Sequence, residues 1–313
     1  VYLANPRANN HSGDLLVLGA PRSDAELRRA LDGFVAEADR AVLLRGDPVE
    51  LVHRYRDPHD QEVAALLVAM MAYGRVASIR AKAGEALDAL GERPARAVDR
   101  GRVGRLEGFV HRFQAGDDLA RFLRGVGALR RRHGSLAEVF AAGLPAEDEP
   151  DYAGAMSAFV NRLRQAIGGA PSYGLRFLLP DTGGGGAAKR LCLFLRWMIR
   201  PADGLDLGTW ATLRPGLAPA RLLIPLDTHV ARIGRYLGLT DRKAQDLVTA
   251  RQITAALRRL RPEDPLYYDM ALCHLGVSGR CPRRRNLALC GECPIRSVCR
   301  LGEEPPAWPF RPE

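Results

Sequence analysis

Four cysteines close this chain, Cys281, Cys290, Cys293 and Cys299, at the spacing C-x8-C-x2-C-x5-C. Four thiols in so short a stretch force the segment to wrap one small volume, whatever precedes it. The chain reads as cytoplasmic, because no charged-then-apolar leader is visible at its start. Its longest apolar run, Val63 to Tyr73, is too short to span a bilayer, and Arg196 interrupts the next candidate. Disulfides are disfavoured in that compartment, so the thiols are read as metal ligands. Zinc and an iron–sulfur cluster both take four thiolates. A paired C-x2-C…C-x2-C ribbon favours zinc, and this asymmetric single loop does not. Cys192 and Cys273 lie in apolar helical contexts and read as core.

The 313 residues leave ample chain for one large or two ordinary domains. Strand-like alternation is nearly absent, and the expected fold class is all-α. Ser23 or Asp24 caps a helix expected to reach Leu44, with Leu27, Leu31, Phe34, Ala38 and Val42 on one face. Asp57-Pro58 starts a second helix, apolar nearly all round through Ala72 and therefore central. Helical pattern continues over 76–142, with breaks expected at Gly91, Gly101, Gly116 and Gly134. The basic run Arg121, Arg124, Arg130, Arg131, Arg132 and His133 reads as a solvated helix face. Pro145 to Pro150 is an acidic loop and the best internal linker, and a further helix covers about 152–167. Residues 1–21 read as a loose arm and 301–313 as a flexible tail.

Two residues upstream of the cysteines carry candidate chemistry. Asp227 follows Ile224-Pro225-Leu226 and precedes Val230, Ile233 and Leu237 at helical spacing, so it reads as an N-cap. A carboxylate there is favoured in its charged form by the helix dipole. Lys189 follows the run Gly183–Gly186 and lies in the first turn of a helix expected from Ala188 to Ile199, which buries Leu191, Phe194, Leu195 and Met198. An apolar support of that kind can depress an amine's pKa. The run is not a P-loop: Ala188 precedes the lysine, Arg190 follows it, and Leu178-Leu179-Pro180 is a poor strand. A glycine hairpin between helices, offering backbone N–H groups to a phosphate, fits better. Lysine is also scarce. Of 46 basic residues only Lys82, Lys189 and Lys243 are lysine. Arginine stays protonated and cannot act as a nucleophile, whereas lysine can.

The net charge of +10 points to a polyanion, nucleic acid before membrane. Tyr73-Gly74-Arg75, at the end of the central helix, reads equally as a DNA contact or as a helix exit with a stacked tyrosine. Arg280, Arg283, Arg284 and Arg285 stand on the cysteine loop itself and are candidate phosphate contacts.

A glycine hairpin leading to lysine, then Leu226-Asp227-Thr228-His229-Val230, then His274-Leu275-Gly276 and four cysteines resembles the helix-hairpin-helix DNA glycosylases of the endonuclease III and MutY superfamily. The resemblance covers roughly 58–300 and is strongest over 225–299. That family's loop is C-x6-C-x2-C-x5-C, so here the first interval is two residues longer. The usual L-P-G-V-G-x-K hairpin is replaced by Leu179-Pro180-Asp181-Thr182 and four glycines, with 37 residues between Lys189 and Asp227. The longer separation resembles the archaeal 8-oxoguanine glycosylase branch. The resemblance implies two helical domains flanking a DNA groove, a central one over 58–224 and a cluster domain built from 22–57 and 225–300. It also implies a [4Fe–4S] cluster on Cys281, Cys290, Cys293 and Cys299, and Lys189 and Asp227 as catalytic residues. Gly184, Gly185 and Gly186 would contact the backbone. The expected activity is removal of a damaged base from double-stranded DNA by base flipping, with strand cleavage through a lysine Schiff base. The protein would act as a nucleoid-associated monomer. Two other readings stay open at this point: a non-catalytic or monofunctional protein that recognises damaged DNA, and a zinc-stabilised helical protein unrelated to DNA.

Overall fold

The computed structural model describes residues 20–301 apart from 104, 105, 107, 146–148 and 181. The expected arm and tail therefore lie almost wholly outside the described residues, as does the middle of the acidic loop. The described chain is mostly helical, and none of its helices is long and apolar enough to cross a membrane.

Helix α1 (Asp24–Ala36) opens with a capping box between Ser23 and Glu26. It does not reach Leu44. Asp39 accepts from the amides of Ala41 and Val42 and starts a separate helix, α2 (Arg40–Leu44), leaving Val42 exposed. A 3-10 segment, Pro48–Arg54, leads to α3 (Pro58–Met70), where Asp57 caps and Pro58 takes the first position. The chain continues through α4 (Val76–Leu90) and α5 (Pro94–Asp99). A hairpin follows, β1 (Val110–His111) paired antiparallel with β2 (Gln114–Ala115). Two residues a strand are too few for alternation to register in sequence. Next come α6 (Gly116–His133), α7 (Leu136–Ala141), α8 (Ala153–Ile167), α9 (Tyr173–Leu178) and α10 (Lys189–Ile199). The last are α11 (Trp210–Leu213), α12 (Thr228–Tyr236), α13 (Leu247–Leu260), α14 (Asp269–Val277) and the short α15 (Leu287–Gly291). Gly91 and Gly134 do end helices in positive-φ conformations. Gly116 instead begins α6, where a Cβ would collide with the Leu106 carbonyl.

The apolar side chains gather into two clusters. The larger is built around α3, α6, α8 and α10 and includes Val49, Leu51 and Val52 from the 3-10 segment. The smaller joins Leu27 and Leu31 of α1 to residues of α12, α13 and α14 and to Ile295 and Val298. Chain far apart in sequence therefore shares the second core.

One buried carboxylate ties the larger core together. Glu62 of α3 is fully buried and pairs with Arg130, which is likewise buried rather than on a solvated face. The same carboxylate accepts from the amides of Leu136 and Ala137, at the start of α7, and from Trp210 Nε1. Four helices thus converge on one side chain. Removing it leaves the buried Arg130 with Asp99 as its one remaining carboxylate partner and takes the acceptor from two helix-terminal amides and the Trp210 indole. Glu62→Ala is expected to destabilise the protein by about 3 kcal/mol, read as a lower urea midpoint, because breaking a buried pair has that scale of cost. A shift within error would mean that water replaces the carboxylate without penalty.

Candidate active site

Lys189 and Asp227 meet across the fold. The extended backbone at Asp227 (φ −119°, ψ −177°) sets it as the N-cap of α12. Its Oδ1 accepts from the amides of His229 and Val230, both at 2.8 Å. That leaves Oδ2 free to face Lys189 Nζ at 3.6 Å. The two carboxylate oxygens have separate tasks, one holding the helix and one facing the amine. Lys189 is the first residue of α10, and Ala188 before it adopts a left-handed conformation (φ 44°, ψ 40°). A non-glycine residue there stores about 1–2 kcal/mol of strain. This strained step is what turns the chain from the hairpin into the helix, fixing where the lysine emerges. The expected apolar seat lies behind it in Leu191, Phe194, Leu195 and Met198. The amine itself has a different setting: its side chain is 37 % exposed and its counter-charge is Asp227.

Both residues line a cavity of about 830 Å³ whose walls come from both cores. The loops 45–48 and 72–76 form one side, the starts of α10 and α12 the second, and α14 the third. Asp269 and Cys273, one turn apart on α14, belong to its lining. Burial pushes the Asp269 carboxyl up to about 6, against the opposing pull of Arg196, whose Nη1 donates to it at 2.6 Å. Cys273 Sγ lies 3.9 Å from Asp227 Oδ2, and burial together with that carboxylate raises its thiol far above the ordinary range. It is a weak donor to the aspartate. Cys192 is core, as its context implied, with its thiol pushed up to about 12 by burial. Gly276 explains the His-Leu-Gly triplet: a Cβ there would come within 2.5 Å of His229 Cβ, so glycine is what lets α14 close on α12.

Of the other candidate contacts, Tyr73 and Arg75 line the same cavity, and the rest do not. Tyr73 is half-buried, its hydroxyl donating to Gln114 and its ring among His111, Phe113 and Phe177. The stacked-helix-exit reading therefore describes it at least as well as a DNA contact does. Gly184, Gly185 and Gly186 are exposed on the surface. Gly185 turns at φ 80° and accepts from the Leu247 amide, so the hairpin is laced to the start of α13. Thr182 holds its other side by donating to the Ala153 carbonyl at 2.8 Å.

The cysteine loop packs beneath α12. Arg232 donates to the Cys281 carbonyl at 2.9 Å and Tyr236 to that of Arg283 at 2.8 Å. Cys281, Cys290, Cys293 and Cys299 line one small cavity with Tyr236 and Arg296. Among the described residues no three His, Cys, Asp or Glu side chains are disposed to hold a single metal ion. Arg280, Arg283 and Arg284 are exposed and Arg285 half-buried, and none forms an ion pair among the described residues.

Sequence reasoning missed three participants, Cys273, Asp269 and Arg196. The apolar run of α14 hid the first two, and Arg196 looked only like an interruption of an apolar stretch. The spacing Asp269-x3-Cys273, one helical turn, was the available signal.

These features define a helical protein with a lysine–aspartate pair in a cavity between two cores and a four-thiol loop alongside. The chain belongs to the family described as a protein of unknown function, DUF2400, which matches residues 47–278. That span includes Lys189 and Asp227 and stops before Cys281. No curated protein and no solved structure matches the chain.

Proposed function

We propose that the protein removes a damaged base from DNA, using Lys189 as the nucleophile and Asp227 as its partner. One observation carries the reading: Lys189 Nζ and Asp227 Oδ2 lie 3.6 Å apart at the starts of two helices, inside a cavity of about 830 Å³. That volume falls in the range that accommodates a small ligand (roughly 300–1,000 Å³), and an extruded nucleotide is one. The resemblance at Leu226–Val230 and in the cysteine spacing supports the same conclusion.

In this reading Asp227 Oδ2 takes a proton from Lys189, whose neutral amine attacks C1′ of the extruded nucleotide. The Nζ–C1′ bond forms as the bond from C1′ to the base breaks. The electron pair leaves on the base, which takes up a proton. That proton is the one Oδ2 took from the lysine, and the carboxylate charge it restores offsets the positive charge left on the sugar. Loss of the ring oxygen from C1′ gives an imine, and removal of a C2′ proton then expels the 3′ phosphate and cleaves the strand. Oδ1 stays committed to the two amides throughout, so the catalytic oxygen does not drift.

Cys281, Cys290, Cys293 and Cys299 would hold a [4Fe–4S] cluster, a reading supported by a donor set that is thiol only and by all four lining one cavity. A bound cluster would supply a covalent brace for the loop carrying Arg280, Arg283, Arg284 and Arg285, the candidate phosphate contacts. Protein purified anaerobically is expected to be brown, with about four iron atoms per chain. Cys293→Ser should lose iron and bind DNA more weakly. Colourless protein with stoichiometric zinc would overturn the cluster assignment.

The function is tested with a panel of duplexes, each carrying one lesion: an oxidised purine, an oxidised pyrimidine, uracil or an alkylated base. Release of at least one base is expected, and release from none would overturn the proposal.

A further inference from the structure

Beside the cavity mouth the hairpin tip carries an exposed aromatic surface that the reaction does not use. Phe113 and Tyr173 are 40 % and 62 % exposed, unusual for rings of their size. They meet edge to face at 5.2 Å, and Phe113 also packs on Phe177 at 4.6 Å. Tyr73 stacks on Phe113 with planes 18° apart, so a ring that lines the cavity is continuous with rings that face solvent. Arg190 lies over the Tyr73 and Phe177 rings from behind, at 5.3 and 4.6 Å.

The tip is held in a costly conformation. Arg112 is one of two described non-glycine residues with positive φ, at 58°; the other is Ala188, beside the lysine. Residues held this way concentrate at functional sites. Its guanidinium rests against the cavity-mouth loop, where a Cβ on Gly74 would come within 3.0 Å of Nη1. Arg75, Arg112 and Arg176 are all exposed around the rings. Exposed rings ringed by arginines match a nucleic-acid strand, with bases on the rings and phosphates on the guanidinium groups.

We propose that Phe113 and Tyr173 form a ledge that stacks an unpaired nucleobase of the bound DNA, with Arg112 on the adjoining phosphate. The proposal rests on the base-excision reading, because extruding one nucleotide leaves bases unpaired at the cavity mouth. It commits to locally opened DNA rather than to a protein partner. The ring faces suit any base, so the ledge recognises the opened state and not the sequence.

The test compares a fully paired duplex with one of equal length carrying a short central bubble, with 2-aminopurine in the bubble. The wild-type protein is expected to bind the bubble more tightly and to quench its fluorescence. Tyr173→Ala and Phe113→Ala should each weaken bubble binding by about 5- to 100-fold, the scale for losing one base–aromatic stack, with little change on paired duplex. Phe113→Trp should restore it. Tyr173 is mostly exposed, so its variant keeps the test meaningful if Phe113→Ala loosens the hairpin, which thermal unfolding reports. Equal affinity for both DNAs in the wild type, or unchanged bubble binding in Tyr173→Ala, would overturn the ledge. Base release that continues in that case leaves the excision reading standing. Bubble preference without base release from any lesion would sink the excision reading and keep the ledge.

Discussion

Replacing Asp227 by asparagine is expected to lower base release by at least about 100-fold, the scale for losing one transition-state electrostatic contact, while the fold stays intact. Asparagine is as good an N-cap as aspartate, and its carbonyl oxygen can accept from His229 and Val230 as Oδ1 does now. What changes is the other atom. Oδ2, now 3.6 Å from Lys189 Nζ, becomes an amide NH2. It can neither take the lysine's proton nor balance charge on the sugar. Cys273 Sγ, 3.9 Å from that oxygen, loses its acceptor as well. Thermal unfolding should shift by only a degree or two, because the cap survives, and DNA affinity should be nearly unchanged. Base release within a few-fold of wild type would reduce Asp227 to a helix cap.

Lys189→Gln is expected to abolish the covalent adduct that borohydride traps on lesion-containing DNA. Only an amine can form the imine, and the chain offers three lysines besides its amino terminus. Lys82 is held on α4 by Glu85 at 2.7 Å and lies over the Phe109 ring. Lys243 is exposed in the loop before α13, ahead of the Asp246 cap. Neither lines the cavity. Lys82→Gln and Lys243→Gln should therefore trap as well as wild type. Trapping that survives in Lys189→Gln and disappears in Lys243→Gln would move the nucleophile to another part of the molecule.

What the sequence made legible was local. Asp57 and Asp227 announce their helices because a capping side chain bonds amides two and three residues ahead. The start of α10 at Lys189 follows from the glycine run before it and the apolar spacing after it. Periodicity over α1, α6 and α8 carried the helical class. What stayed hidden was made by distant chain. Glu62 and Arg130 are 68 residues apart, and nothing in either helix says that they are buried together. The break between α1 and α2 was missed because the apolar stripe runs on past Asp39, whose cap overrides it. The approach of Lys189 to Asp227 is a tertiary fact as well: the sequence supplied two candidate groups at two helix starts but no distance between them. The hairpin at Val110–Ala115 escaped notice for its brevity, and with it the exposed Phe113.

The central claim is that Lys189 and Asp227 form one base-excising centre, and the site of the covalent adduct tests it most directly. The wild-type protein would be incubated with each lesion duplex in borohydride, the trapped complex digested, and the modified peptide located by mass spectrometry. A nucleotide remnant on Lys189 is the predicted result, absent from Asp227→Asn treated in the same way. A remnant on Lys82 or Lys243, or no adduct and no released base with any lesion, would contradict the account.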